Sequence, residues 1–176
     1  NSYKGTIIKI KKIICDEFQK YAFLKDWDGL TEVEKKHIRE LDYDMSDESA
    51  QEAINDLSNY LSRYYGKKVI ILLDEYDTPM QEAYVNGFWD ELASFTRSLF
   101  NSTFKTNPYL ERAIMTGITS VSKESIFSDL NNLVVVTSTS KQYETAFGFT
   151  EEEVFNALDE QGLSDKKEEV KMWYDG

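Results

Sequence analysis

Apolar positions along the chain follow two periods. Ile7, Ile10, Ile14, Phe18 and Tyr21 recur on one helical face and predict a helix from about Ile7 to Leu24, broken by Asp26, Asp28 and Gly29. Thr31 followed by Glu34 is a capping-box signature and predicts a second, mostly charged surface helix running to about Leu41. Ser49 with Glu52 reads as another capping box, opening a helix that buries Ala53, Ile54, Leu57, Leu61 and Tyr64 and ends at Gly66. Trp89, Leu92, Phe95, Leu99 and Phe100 predict a long helix from about Phe88 to Phe104, and Asn107-Pro108 turns the chain. Ser122 is expected to cap a short helix from Lys123 to Leu130. Near the C-terminal end, Thr150 and Glu153 form a third capping box. Phe149 facing Val154 is expected to complete a hydrophobic staple, and Ser164 to cap the last helix.

Between these helical stretches the period changes. Val69-Ile70-Ile71-Leu72-Leu73 is a short unbroken apolar run, the pattern of a strand buried on both faces of a parallel sheet, and Pro79 is expected to close the segment that follows it. Ala113–Gly117 and the β-branched run Val134–Thr137 predict two further strands. Strands separated by helical chain define an α/β layer with about three short parallel strands, those at Val69 and Ala113 pairing in parallel. The expected organisation is one domain, incomplete in this chain: a helical part over 1–66, a strand-helix-strand-helix-strand core over 67–140, and C-terminal helices over 141–176.

Composition narrows the class. The 176 residues are 41% hydrophobic and 14% aromatic, enough for a globular core. A net charge of −12 opposes a broad nucleic-acid or anionic-membrane surface. Lys4, Lys9, Lys11 and Lys12 form the one basic cluster and read as a solvated helix face. Cys15 is the single cysteine, expected buried among apolar neighbours, and His37 the single histidine, expected exposed. One of each leaves no disulfide within the chain and no zinc site. No apolar run reaches membrane-spanning length, and the protein reads as cytoplasmic. The absence of an initial methionine and the turn-like Trp173-Tyr174-Asp175-Gly176 suggest part of a longer protein.

The chemistry gathers at the end of the first strand, where Leu73 runs into Asp74-Glu75-Tyr76-Asp77. Carboxylates there sit in the crevice in which open α/β sheets bind ligands. An apolar strand ending in Asp-Glu is the Walker B element of P-loop nucleotide hydrolases. In that role Asp74 holds Mg²⁺, a cation that prefers oxygen ligands, and Glu75 orients and deprotonates the attacking water. Thr116, at the end of the next strand, is the candidate for contacting the γ-phosphate or that water. Asp77 is expected to hold the loop through local hydrogen bonds. None of the eight glycines begins a G-x-x-x-x-G-K-[ST] phosphate loop, so the chain alone is expected to hydrolyse nothing.

The stretch Gly66–Pro79 resembles the signature of the AAA-ATPase-like family of uncharacterised microbial proteins. So do Asn107-Pro108-Tyr109-Leu110, Thr116-Gly117-Ile118, Lys123–Ser128, Leu130–Leu133, Phe147–Glu153 and Trp173–Gly176. The resemblance runs from about Tyr64 to the end. It implies a partial P-loop NTPase domain of the AAA type whose phosphate loop lies upstream of Asn1, with Mg²⁺ and ATP as the ligands of the full-length protein. In many members it also implies a nuclease-like domain of the PD-(D/E)XK kind beyond Gly176. Carried over by position, Asp74 matches the Mg²⁺ aspartate, Glu75 the catalytic glutamate and Thr116 the sensor. Where the family often has a basic residue after the Thr-Gly, this chain has Thr119, Ser120 and Val121, which leaves Arg97, Arg112 and Lys123 as weak candidates for an arginine sensor or finger.

Two readings follow. The first is the Walker B and sensor half of an Mg²⁺-ATP-hydrolysing module. The second is a nucleotide-dependent or purely scaffolding switch that regulates an attached effector domain. A nuclease within the chain itself is disfavoured, because no strand is followed by E-x-K and the acidic charge opposes DNA.

Overall fold

A computed structural model of the chain describes residues 2–118, 126–127, 129–144, 146 and 148–174. The described chain forms two compact units, 1–133 and 134–176. In the first unit α1 (Tyr3–Lys20) starts at Ser2, whose hydroxyl accepts from the Gly5 amide at 3.3 Å. Its buried stripe is Ile7, Ile14, Cys15 and Phe18. The helix ends earlier than the apolar spacing suggested, giving way to a 3-10 turn at Ala22–Asp26 that buries Leu24. Lys11 departs from the solvated face expected of it. It is buried, and its Nζ donates to the Met45 carbonyl at 2.5 Å and pairs with Asp47 at 2.8 Å. It thereby pins the loop ahead of the third helix to α1.

The second helix, α2 (Glu32–Glu40), has the full capping box at Thr31 and Glu34. His37 is half-buried on its inner side, with Nε2 3.4 Å from Asp56, and is not the exposed position expected from its charged neighbours. α3 (Asp47–Tyr65) begins three residues before the expected cap: Ser46 is the N-cap, and its hydroxyl accepts from the Ser49 amide at 3.1 Å. Both serines satisfy the same local preference, and the chain takes the one that extends the helix. Gly66 ends α3 at φ 63°, a left-handed conformation that costs glycine nothing.

The first strand, β1 (Val69–Leu73), and the second, β2 (Leu110–Met115), pair in parallel, with Ile71 opposite Ala113 and Leu73 opposite Met115. Between them lie α4 (Thr78–Asn86) and α5 (Trp89–Phe100), the latter running on into a π-turn at Asn101–Lys105. The π-turn divides what the aromatic spacing read as one helix, and Ser102 and Asn55 tie it back to α3 through a 2.9 Å bond to the Ser102 carbonyl. α4 has no counterpart in the sequence reading. Pro79 lies in its first turn, where a missing N–H costs nothing, and so starts a helix instead of closing a segment. The helices pack Leu24, Leu57, Met80, Leu92 and Phe95 into one core under the sheet.

That core covers one face of the sheet. Ile71 and Leu73 pack against it, whereas Ile70 (63% exposed), Leu72 (73%) and Ile114 (52%) face outward. The expectation of a strand buried on both faces therefore fails among the described residues. An apolar run records that both faces avoid water in the final assembly; it does not record which element supplies the cover. Of the expected helix over Lys123–Leu130, residues 123–125 and 128 lie outside the described residues, and Ile126, Phe127, Asp129 and Leu130 are not helical.

The second unit contains α6 (Glu151–Glu160), a 3-10 turn at Ser164–Lys166, and α7 (Lys167–Tyr174). Lys167–Asp159 at 2.6 Å and Lys171–Glu151 at 2.9 Å join the two helices. The capping box at Thr150 and Glu153 is formed, but Phe149 stays exposed, so the staple does not close. Ser164 is the first residue of the 3-10 turn that precedes α7, and the residue before that turn, Leu163, makes no side-chain cap. Val134–Thr137, expected as a third strand, is irregular and exposes its valines. A β-branched run becomes a strand only when a neighbour offers its ladder, and among the described residues of this unit there is no strand to do so. Among the described residues the sheet accordingly has two strands.

Candidate functional site

Register brings the acidic end of β1 and the hydroxyl end of β2 together. The parallel ladder continues one step past both strands, with the Thr116 amide donating to the Leu73 carbonyl at 2.9 Å and the Tyr76 amide to the Thr116 carbonyl at 3.1 Å. Thr116 is thereby held beside Asp74, and its hydroxyl donates to Asp74 Oδ1. The same oxygen accepts from the Glu75 amide at 3.1 Å. Asp74, Glu75 and Thr116 are all exposed, so the three polar groups open on solvent at the carboxyl end of the sheet.

Glu75 adopts φ 51°, the left-handed region that a non-glycine residue enters at a cost of order 1 kcal/mol or more. The conformation is held from both sides. The Asp74 carboxylate engages the Glu75 amide, and the Thr78 amide donates to the Glu75 carbonyl at 3.1 Å. This turn carries the chain from β1 straight into α4.

Directly behind this turn stands Asp77, expected to hold the loop through local hydrogen bonds. It is 1% exposed, a burial that the sequence did not indicate. Gly117 allows the close approach: a Cβ there would fall 2.7 Å from Tyr76 Cε1 and 2.8 Å from Asp77 Oδ1. Tyr76 in turn meets Phe127 edge-on at 5.3 Å, and Phe127 stacks on Phe100 at 5.8 Å. The signal for this support was present in the sequence as the Thr-Gly pair, since a glycine after a strand marks close backbone approach.

Of the basic candidates, Arg112 stands away from this edge. Arg112 stands opposite Ile70 in the register, four residues before Thr116 and so about 13 Å along the strand from the tip. Arg97 lies in α5, and Lys123 is outside the described residues. Asp74, Glu75 and Thr116 present oxygen atoms, the donor type that Mg²⁺ prefers, with Asp74 the candidate ligand among them. Among the described residues, no group of three or more His, Cys, Asp or Glu is arranged to hold a metal by itself. No helix among them is long and apolar enough to cross a membrane.

A parallel strand pair with helices packed on one face places the molecule among mixed α/β proteins, with acidic and hydroxyl side chains at the carboxyl end of its sheet. Residues 2–127 match the family described as AAA-ATPase_like, Predicted AAA-ATPase, and the chain belongs to that family. The chain is also 29% identical over 112 residues to an uncharacterized protein in the vnfD 5′ region of Azotobacter chroococcum mcd 1; the match takes in 63% of this chain and 22% of that protein. The chain thus spans about a fifth of the relative's length. No solved structure matches it.

Proposed function

We propose that Asp74, Glu75 and Thr116 form the Walker B and sensor half of an Mg²⁺-ATP site, completed in the full-length protein by a phosphate loop outside these 176 residues. The observation that carries this reading is the seating of the Thr116 hydroxyl on Asp74 Oδ1 across two parallel strands. It brings a carboxylate, the glutamate that follows it and a hydroxyl to one exposed sheet edge, which supports this reading. Asp74 would hold the ion, Glu75 would take the proton from the attacking water, and Thr116, which gives its one hydroxyl proton to Asp74, would keep that carboxylate oriented and leave its oxygen to accept from the water. The exposed outer face at Ile70, Leu72 and Ile114 supports a larger sheet assembly in which further chain provides the missing cover.

The test is metal-dependent nucleotide binding by a form of the protein that includes the upstream sequence, titrated with Mn²⁺ and ATP. Asp74→Asn should weaken the metal-dependent part of binding at least about tenfold, the scale of losing one charged metal ligand. Glu75→Gln should leave it intact. Equal affinity for the wild type and Asp74→Asn contradicts the assignment. The second reading is a nucleotide-dependent or scaffolding switch, and an upstream sequence without a G-x-x-x-x-G-K-[ST] loop would point to scaffolding alone. ATP binding without turnover in the longer protein decides for that switch. In that second reading the switch would control an attached nuclease-like effector domain.

A further inference from the structure

Asp77 follows the acidic pair but is used differently from it. It stands at the N-cap of α4, where an aspartate ordinarily accepts from the second or third amide of its own helix. Here the side chain makes no such cap. Its Oδ2 accepts from the Ile118 amide at 3.1 Å, 41 positions along the chain, and from Gln81 Nε2 at 3.0 Å. A carboxylate at 1% exposure is expensive unless bonded, so these contacts specify where the segment after β2 must lie. Gly117 sits between Thr116 and Ile118 with no room for a Cβ against Asp77. The two ends of a three-residue segment are therefore fixed. Thr116 is held by the ladder to Leu73 and Tyr76, and Ile118 is held by Asp77.

We propose that Asp77 is a positioning residue: through the Ile118 amide it sets the Thr116 hydroxyl against Asp74 and locks the β2 exit to the first turn of α4. Its meaning for nucleotide chemistry rests on the reading of Asp74 and Thr116 given above, but the positioning itself does not. Asp77 acts across the sheet tip on a partner distant in sequence, which distinguishes it from a local turn-forming aspartate. Because α4 begins at Thr78, any shift of Asp77 also moves the left-handed turn at Glu75.

The test is a double-mutant cycle on the 176-residue chain, read by thermal unfolding and by amide NMR. Thr116→Val should lower the wild-type Tm by about 2–4 °C, the shift expected for one hydrogen bond in a domain of this size. In an Asp77→Asn background the same substitution should lower it by less than half as much. Asp77→Asn keeps the side-chain volume, so the cycle remains readable even if Asp77→Ala fails to fold. In Asp77→Asn the Ile118 amide should exchange at least about tenfold faster, by the loss of a charge-assisted bond. The Asp74, Glu75 and Thr116 resonances should move, while those of Ile14 and Ala53 should not. The proposal is overturned if Thr116→Val costs the same in both backgrounds, or if Asp77→Asn lowers Tm with the Asp74 and Thr116 resonances unmoved. No nucleotide enters the experiment, so failure of the ATP-site reading and failure of the positioning role are separately visible.

Discussion

The ion pair between Glu34 and Arg63 gives the sharpest stability prediction. Arg63 Nη1 lies 2.5 Å from Glu34 Oε1 and Nη2 lies 3.3 Å from Oε2. The Thr31 amide and hydroxyl add bonds to Oε2 at 2.7 and 2.9 Å. Arg63 is itself fixed by the Gly29 carbonyl and by the Trp27 ring, whose centroid is 6.0 Å away. These contacts, the Arg63 guanidinium first, pull the Glu34 carboxyl down from its ordinary 4.5 to about 2. The folded value lies below the unfolded one, so the contribution is complete above about pH 4.5 and is lost as pH falls toward 2. Two and a half units at 1.36 kcal/mol each set a ceiling of about 3.4 kcal/mol. The side chains of Arg63 and Glu34 are 36% and 22% exposed, and solvent screening reduces the figure to about 1–2 kcal/mol. Glu34→Gln should therefore lose about 1–2 kcal/mol in urea unfolding at pH 7, and about a quarter of that at pH 2.5. Added salt should shrink the pH 7 loss. An equal loss at both pH values would refute the argument.

Other consequences are separable from that one. Gly117→Ala forces a Cβ to within 2.8 Å of Asp77 Oδ1, and overpacking of this kind should cost about 1–3 kcal/mol, read as a lowered Tm. Asp56 is pushed up by burial, against which His37 pulls it down, so its charged form is disfavoured in the fold. Its contribution is present below its ordinary value of 3.8 and lost as pH rises through the raised one. Asp56→Asn should accordingly stabilise the protein at pH 7 relative to its effect at pH 3, and a pH series of urea midpoints checks the sign. Leu92→Ala, at a fully buried position of α5, should cost about 2–5 kcal/mol in the same assay.

Much of this molecule was legible where its signals are local. Thr31 with Glu34 and Thr150 with Glu153 each specify a helix start within four residues, and both boxes form. Gly66 marks its helix end because only a left-handed residue fits there. The parallel pairing of the strands at Val69 and Ala113 followed from an apolar run, a helical stretch and a second apolar run. What sequence could not convey depends on partners far along the chain. Lys11 looks solvated until Met45 and Asp47 arrive beside it, and His37 until α3 brings Asp56. Val134–Val136 has strand propensity but no adjacent strand among the described residues of its unit. Pro79 fits equally well after a strand or in a helix's first turn, and only the packing of Met80 and Ala83 decides between them. At the candidate site Asp74, Glu75 and Thr116 were readable as chemistry-bearing residues from their places at strand ends. The burial of Asp77 was not, because a carboxylate in an acidic run gives no hint that an amide 41 positions away will face it.

Hydrolysis of ATP by the longer protein, compared between wild type and Glu75→Gln, bears most directly on the account. Glu75 is assigned the proton of the attacking water and no share in holding the metal. The substitution should thus remove turnover by a factor of about 10² or more, the scale of losing a general base, while ATP remains bound in the presence of Mg²⁺. Turnover unchanged by Glu75→Gln would contradict it.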